Sequence, residues 1–213
     1  MNEQQATRYK ILLGKYIPQA SIDPIFEFMD AHCVQFRITR ERHSKLGDYR
    51  CPQFQHNYHE ISINGNLNPY YFLLVLLHEM AHLNTFLLYR NQVAPHGHEW
   101  QEQYRELLAQ YVQLNTFPPD VTQLIKRYIR RIPLNRTIGN KIEEVIQHYN
   151  PDYNPSTAYV LNDLQPGDIF RLRNRPQQEF IAIERRRTRW KCQDLISQQY
   201  YLVSGAAEII KKE

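Results

Sequence analysis

Hydrophobic positions at the start of the chain recur first at helical and then at strand spacing. Tyr9, Leu12, Leu13 and Tyr16 fall three and four apart within residues 2–16, which predicts an amphipathic helix that stops near Pro18. Asp23-Pro24 reads as an N-cap followed by a first-turn proline, opening a second helix to about His32 with Ile25, Phe26, Phe28 and Met29 facing a core. In residues 33–39, Val34, Phe36 and Ile38 alternate with polar positions, the pattern of a half-buried strand. Residues 40–50 predict a turn and a second strand, and residues 58–63, with Ile61 and Ile63 on one face, a third. Asn68-Pro69 then opens an apolar helix. Three short consecutive strands predict a small antiparallel sheet packed on it.

Beyond a polar loop at 90–95, residues 99–114 carry Trp100, Tyr104, Leu107, Leu108 and Tyr111 on one helical stripe. Phe117-Pro118-Pro119-Asp120 reads as a break with Asp120 as N-cap. A basic amphipathic helix over 121–132 follows, bearing Lys126, Arg127, Arg130 and Arg131. Residues 142–148 predict a further short helix and 150–155 a linker. The remainder changes period. Ile169, Arg171 and Arg173 alternate with Phe170 and Leu172, and short strand-like runs recur at 180–183, 188–192, 200–203 and 207–210. The expected architecture is α+β. A first domain over 1–150, with a basic helical extension at 121–150, precedes a small all-β, SH3-like barrel module at 156–213.

Composition narrows the class. The 213 residues are 42% hydrophobic and 23% charged, values of an ordinary globular chain. The N-terminus lacks a signal-peptide apolar core, and the longest apolar run, 70–77, is too short to span a bilayer, so no membrane association is expected. Cys33, Cys51 and Cys192 are odd in number and form no CxxC pair, which argues against a disulfide framework or a cysteine zinc site. A reducing, cytoplasmic location is the expectation, with monomer as the default state. Charge is uneven: residues 1–120 hold ten Lys and Arg against twelve Asp and Glu, residues 121–150 six against two, and residues 151–213 ten against eight. The basic excess therefore lies outside the most apolar region and suits a polyanionic partner.

Chemistry concentrates in LLVLLHEMAHLN, residues 73–84. His78 and His82 stand four apart, so on a helix their imidazoles share one face, one turn apart, as two ligands of a Zn²⁺ ion require. Glu79 between them is placed to act on water at such an ion. Catalytic zinc sites use three protein ligands, and the turn His96-Gly97-His98 supplies two candidates for the third. The metzincin spacing fails, because Thr85 and Leu88 occupy its glycine and histidine positions.

With HEMAH followed by HGHEW at this separation, and SKLGDYR at 44–50 ahead of the third strand, the chain resembles the SprT-like zinc metallopeptidases over roughly residues 5–115. The resemblance implies a zincin-like core with His78, His82 and His96 as ligands of one zinc, Glu79 as catalytic base, and His98 as a neighbour at a variable position. It implies hydrolysis of DNA-associated proteins, including DNA–protein crosslinks. The cysteine zinc ribbon common in the family is not found in this sequence, so nucleic-acid contact by that element does not carry over. No residue emerges as the oxyanion group, for which Tyr89, Arg90 and Tyr104 are candidates.

The residues themselves offer other cationic surfaces. Arg171, Arg173 and Arg175 would share one strand face, and Arg185, Arg186, Arg187, Arg189, Trp190 and Lys191 form a basic run with an aromatic that could stack on a base or, if the run is a solvated hairpin turn, lie in the barrel core. The expected partners are protein substrates and DNA, single-stranded or junction-containing, with nucleoid association if DNA is required. Two alternatives remain open: a DNA-independent intracellular zinc peptidase, and a non-catalytic, zinc-stabilised DNA-binding module.

Overall fold

The most apolar stretch of the sequence becomes a single central helix in the computed structural model, which describes residues 3–42, 44–52, 57–151, 153, 159–173, 175–205 and 207–211. Helix α1 (Glu3–Leu13), a 3-10 turn (Gln19–Ser21) and α2 (Ile22–Ala31) precede β1 (Val34–Thr39), β2 (Gly47–Arg50) and β3 (His59–Asn64). There follow α3 (Pro69–Tyr89), α4 (His98–Gln113), α5 (Pro119–Tyr128) and α6 (Arg136–Gln147). Asn68 caps α3 by accepting from the Tyr71 N–H at 3.0 Å, and Pro69 sits in the first turn where its missing N–H is harmless. The apolar face continues past residue 77 through Met80, Ala81 and Leu83, giving 21 residues. By length and composition alone that would cross a bilayer, but 56% of the window is buried within the protein. A helix apolar all round belongs at the centre of a core.

The three-stranded sheet departs from the antiparallel expectation. Its order is β1-β3-β2, with β2 antiparallel to β3 but β1 parallel to it, Val34 opposite His59. The centre goes to the strand buried on both faces: Ile61 and Ile63 are fully buried, as are Ser62 and Asn64, whereas β1 is only half-buried. With β3 inserted between its predecessors, the first and third strands run the same way.

Helix boundaries also shift. Ser21, not Asp23, precedes α2, because the 3-10 turn runs directly into it; Asp23 instead pairs with Lys10 at 2.6 Å. Pro118, not Asp120, occupies the N-cap of α5, with Pro119 in its first turn. That helix ends at Tyr128, well before Pro133, which disfavours helical backbone at Ile132. Lys126 and Arg127 therefore lie on its last turn, while Arg130 and Arg131 lie beyond it. Helix α6 starts earlier than expected, at Arg136, capped by Asn135 accepting from the Ile138 N–H at 3.1 Å. A Cβ on Gly139 would lie 3.3 Å from the Tyr128 ring, so the glycine lets α5 and α6 approach closely. Ile142 and Ile146 are buried in the core.

Chain contacts define two units, Met1–Tyr153 and Asn154–Glu213. Most of the expected linker at 150–155 falls on residues 152, 154 and 155, outside the described ones. The second unit contains β4 (Tyr159–Val160), β5 (Ile169–Leu172), β6 (Arg175–Arg185), β7 (Arg189–Asp194), β8 (Tyr200–Ser204) and β9 (Glu208–Lys211). They pair antiparallel in the order β4-β9-β5-β6-β7-β8. No β4–β8 pairing closes the sheet into a barrel among the described residues. Its separate core includes Leu161, Phe170, Phe180, Trp190, Cys192 and Ile209.

Candidate metal centre

His78 and His82 project from one side of α3, and the loop before α4 brings His96 to them. The Nε2 atoms lie 3.3 Å apart for His78 and His82, and 3.1 Å apart for His96 with each of the others. Tetrahedral zinc, with bonds of about 2.0–2.1 Å, sets ligand nitrogens about 3.3–3.4 Å apart. The donor set therefore fits a metal ion of that size. His96 reaches the helix through a left-handed backbone, φ +57°, which a histidine adopts only when its surroundings hold it there. Gln101 donates to the His96 carbonyl at 3.0 Å, and Gly97 closes a turn onto the Ala94 carbonyl at 2.9 Å. Between these two candidates for the third ligand, only His96 joins the cluster. His98 faces outward on α4, its side chain 65% exposed and near Glu102.

Burial keeps the triad neutral. It lowers the pKa of His78 to about 3, helped by His82 and His96, and that of His82 to about 4, helped by His96. His96 is lowered by burial alone. At neutral pH all three carry lone pairs available to a cation. Two aromatics hold the rings. Trp100 lies 4.6 Å from the His78 and His96 ring centres and stacks on Tyr104, while Tyr49 lies parallel to His82 at 6.5 Å. The Tyr49 hydroxyl is in turn tied to His59 Nδ1 at 2.9 Å.

Glu79 is buried at 7% exposure, on the side of α3 facing β2. Burial pushes its carboxyl up to about 7 and the Asp48 charge adds to this, against Arg42, Lys45 and the Tyr49 backbone N–H, which donates to it. Gly47 makes room for this arrangement. A Cβ there would lie 2.8 Å from Val75 Cγ1 and run into Glu79 Oε1. Gly47 and Tyr49 lie in SKLGDYR, but nothing local in that segment says that it meets a helix thirty residues later; sequence reasoning missed their roles.

Two hollows adjoin the centre. One, of about 290 Å³, is lined by His78, Glu79, Tyr71, Tyr104 and Glu143 among others. The second, of about 490 Å³, is lined by His82, His96, Tyr49, Arg50 and Arg90 among others. Of the oxyanion candidates, Tyr104 borders the first, with its ring centre 5.6 Å from His78, and Arg90 the second, with its guanidinium over Phe86. Tyr89 lines neither.

The expected cationic surfaces fare unevenly. Lys126, Arg127, Arg130 and Arg131 are exposed. Arg171, Arg173 and Arg175 do not share a strand, because β5 ends at Leu172 and Arg175 opens β6 opposite it. Arg171 pairs with Glu179 at 2.5 Å and Arg173 with Glu208 at 3.4 Å, which offsets their charge. Arg185, Arg186, Arg187 and Arg189 are exposed around the β6–β7 turn. Trp190 is not available for stacking: at 2% exposure it fills the core of the second unit, its indole N–H bonded to Asn162 Oδ1 at 3.1 Å. Its place in the alternation with Arg189 and Lys191 points it inward.

The profile of the SprT-like family matches residues 20–123. No curated protein and no solved structure shows a match to the chain.

Proposed function

With residues 20–123 a SprT-like, metallopeptidase-type domain, we propose that the protein is a zinc-dependent endopeptidase acting on DNA-associated proteins inside the cell. One observation carries the peptidase reading: a buried carboxylate, Glu79, stands beside three converging imidazole nitrogens at the edge of an open hollow. A closed structural zinc site takes four protein ligands and has no use for such a carboxylate, which disfavours a purely structural metal.

His78, His82 and His96 would hold the ion, which when bound supplies Lewis acidity toward water and the scissile carbonyl. Glu79 takes the proton of the attacking water and later delivers it to the leaving amine. In the absence of the ion's charge, burial raises the pKa of the Glu79 carboxyl, the direction that favours taking up a proton. The Tyr49 N–H fixes one face of the carboxylate, and side-chain-free Gly47 admits it. Trp100 and Tyr49 keep the imidazoles from rotating away when the site is empty of substrate.

The DNA component rests on exposed cations. Lys126, Arg127, Arg130 and Arg131 in the first unit, and Arg185, Arg186, Arg187 and Arg189 in the second, are available to phosphates. The decisive experiment combines elemental analysis with cleavage of a DNA-binding protein, with and without single-stranded or junction DNA. The purified protein is expected to hold one zinc, and Glu79→Gln to keep it while losing about 10²–10⁴-fold in cleavage. Protein without stoichiometric zinc refutes the assignment. Cleavage indifferent to DNA leaves a general intracellular peptidase.

A further inference from the structure

The hollow beside Glu79 has a wall that the matched family segment does not supply. That segment ends at residue 123, whereas Glu143 on α6 lines the hollow with Leu46, Tyr71, Leu74 and Tyr104. Helix α6 is held in place by several independent contacts. Ile142 and Ile146 are buried, and Asn68 Nδ2 donates to the Ile146 carbonyl and to Asn150 Oδ1, both at 2.9 Å. The Tyr149 hydroxyl donates to Asp120 at 2.7 Å, and its ring packs edge-on against Tyr70. Glu143 directly follows Ile142 on this anchored helix and is itself exposed, so the helix rather than burial of the side chain places it at the hollow.

That carboxylate has no cation of its own among the described residues. Lys141 pairs with Glu144 and Lys45 with Asp48 at 2.8 Å, while Arg42 bonds to Asn64 and Ser62. The groups that face Glu143 electrostatically are the phenols of Tyr71, Tyr104 and Tyr128, which cannot neutralise it. Although the residue is exposed, desolvation by the groups around its carboxyl raises the pKa. The hollow thus combines aliphatic and aromatic walls with two carboxyls, the buried Glu79 beside the histidines and the exposed Glu143, which no cation pairs among the described residues. Its volume of about 290 Å³ lies at the lower end of ligand pockets, enough for one long side chain rather than a whole ligand. An apolar stem ending in a cation satisfies each of these features, the stem against Leu74 and the rings, the charge at Glu143.

We infer that this hollow is a specificity pocket for a lysine or arginine side chain of the peptide substrate, with Glu143 recognising its charge. The inference rests on the peptidase reading, because a side chain seated there lies beside Glu79 and places its own backbone at the metal centre.

The test uses the full chain and a set of peptides of one sequence, with lysine or the uncharged norleucine scanned through each position. For zinc-loaded wild type, kcat/KM is expected to favour lysine over norleucine about tenfold or more at one position near the cleaved bond. Glu143→Gln should lower that ratio about tenfold, and Glu143→Lys should turn the preference toward glutamate at the same position. A second readout needs no turnover: fluorescence anisotropy of the labelled peptides on Glu79→Gln protein, with and without Glu143→Gln. If lysine and norleucine peptides bind alike, or Glu143→Gln leaves their ratio unchanged, the inference is overturned. If lysine binding depends on Glu143 while wild type cleaves nothing, the pocket stands and the peptidase reading falls.

Discussion

Glu79 in the first unit and Trp190 in the second are buried to a similar degree, at 7% and 2% exposure, yet for opposite reasons. Removing an indole from water is favourable, and Trp190 needs only the Asn162 acceptor for its one N–H. Removing a carboxylate is unfavourable by several kcal/mol unless it is protonated or well bonded, and the raised pKa of Glu79 records that penalty. The first unit tolerates it beside two half-buried imidazoles at the edge of an apolar core. The second unit brings Phe170, Phe180 and Trp190 inward and leaves its arginines outside, Arg171, Arg173 and Arg186 paired with glutamates. Polar groups kept indoors against their preference mark chemistry. Cations left at the surface mark at most a place for a partner to land.

Three variants probe that contrast. The largest effect is expected for Trp190→Ala, which removes the biggest side chain of the second core and should destabilise that unit by about 3–5 kcal/mol in denaturant unfolding. Zinc content should be unaffected, since every candidate ligand belongs to the first unit. A mild stability loss with a sharp loss of DNA binding would instead make Trp190 an interaction residue and break the comparison. Next comes Gly47→Ala, whose methyl group meets Glu79 and Val75. Displacing the carboxylate by about 1 Å should lower cleavage roughly 10²-fold with zinc retained, and undiminished cleavage would deny β2 any role in placing Glu79. The smallest effect belongs to Arg186→Ala combined with Arg187→Ala. Two exposed cations should weaken DNA binding by about tenfold or less and reduce the salt slope by about two, measured by anisotropy across salt concentrations. An unchanged slope would remove the β6–β7 turn from any nucleic-acid surface.

Legibility in the sequence followed the range of each interaction. His78, Glu79 and His82 are related by one helical turn, and such a relation is visible in a string of letters. Spacing alone showed His96 only as one of a pair, and the family resemblance chose it over His98. What separates it from His98 is a left-handed backbone and a hydrogen bond from Gln101, neither of which spacing encodes. The approach of Gly47 to Glu79 joins segments 32 positions apart and leaves no periodic trace. Strand order is likewise nonlocal: each strand of the first sheet was readable, but not that β3 takes the middle and runs parallel to β1. The α+β class was readable because periods of 3.6 and 2 alternate along the chain. Helix α6 was half-read: its first turn, capped by Asn135, carries Gly139, whose close approach to Tyr128 is a nonlocal fact. Of the two places open to Trp190 in the sequence, its alternation with Arg189 and Lys191 favours the core, where it lies.

Asn68 has a consequence for where this protein can be cut. Its Oδ1 starts the helix that bears the histidines, while its Nδ2 clasps α6 through Ile146 and Asn150. The stretch recognisable by kinship, 20–123, is therefore shorter than the stretch that must close up in order to stand. A fragment trimmed to the recognisable part would lack Leu13 and Ile17 on one flank and Ile142 and Ile146 on the other, all of them core residues. It would keep every atom of the metal ligands and lose the clasp at the foot of their helix. Heredity and cohesion draw different borders in this chain, and a single asparagine amide is where the difference can be seen.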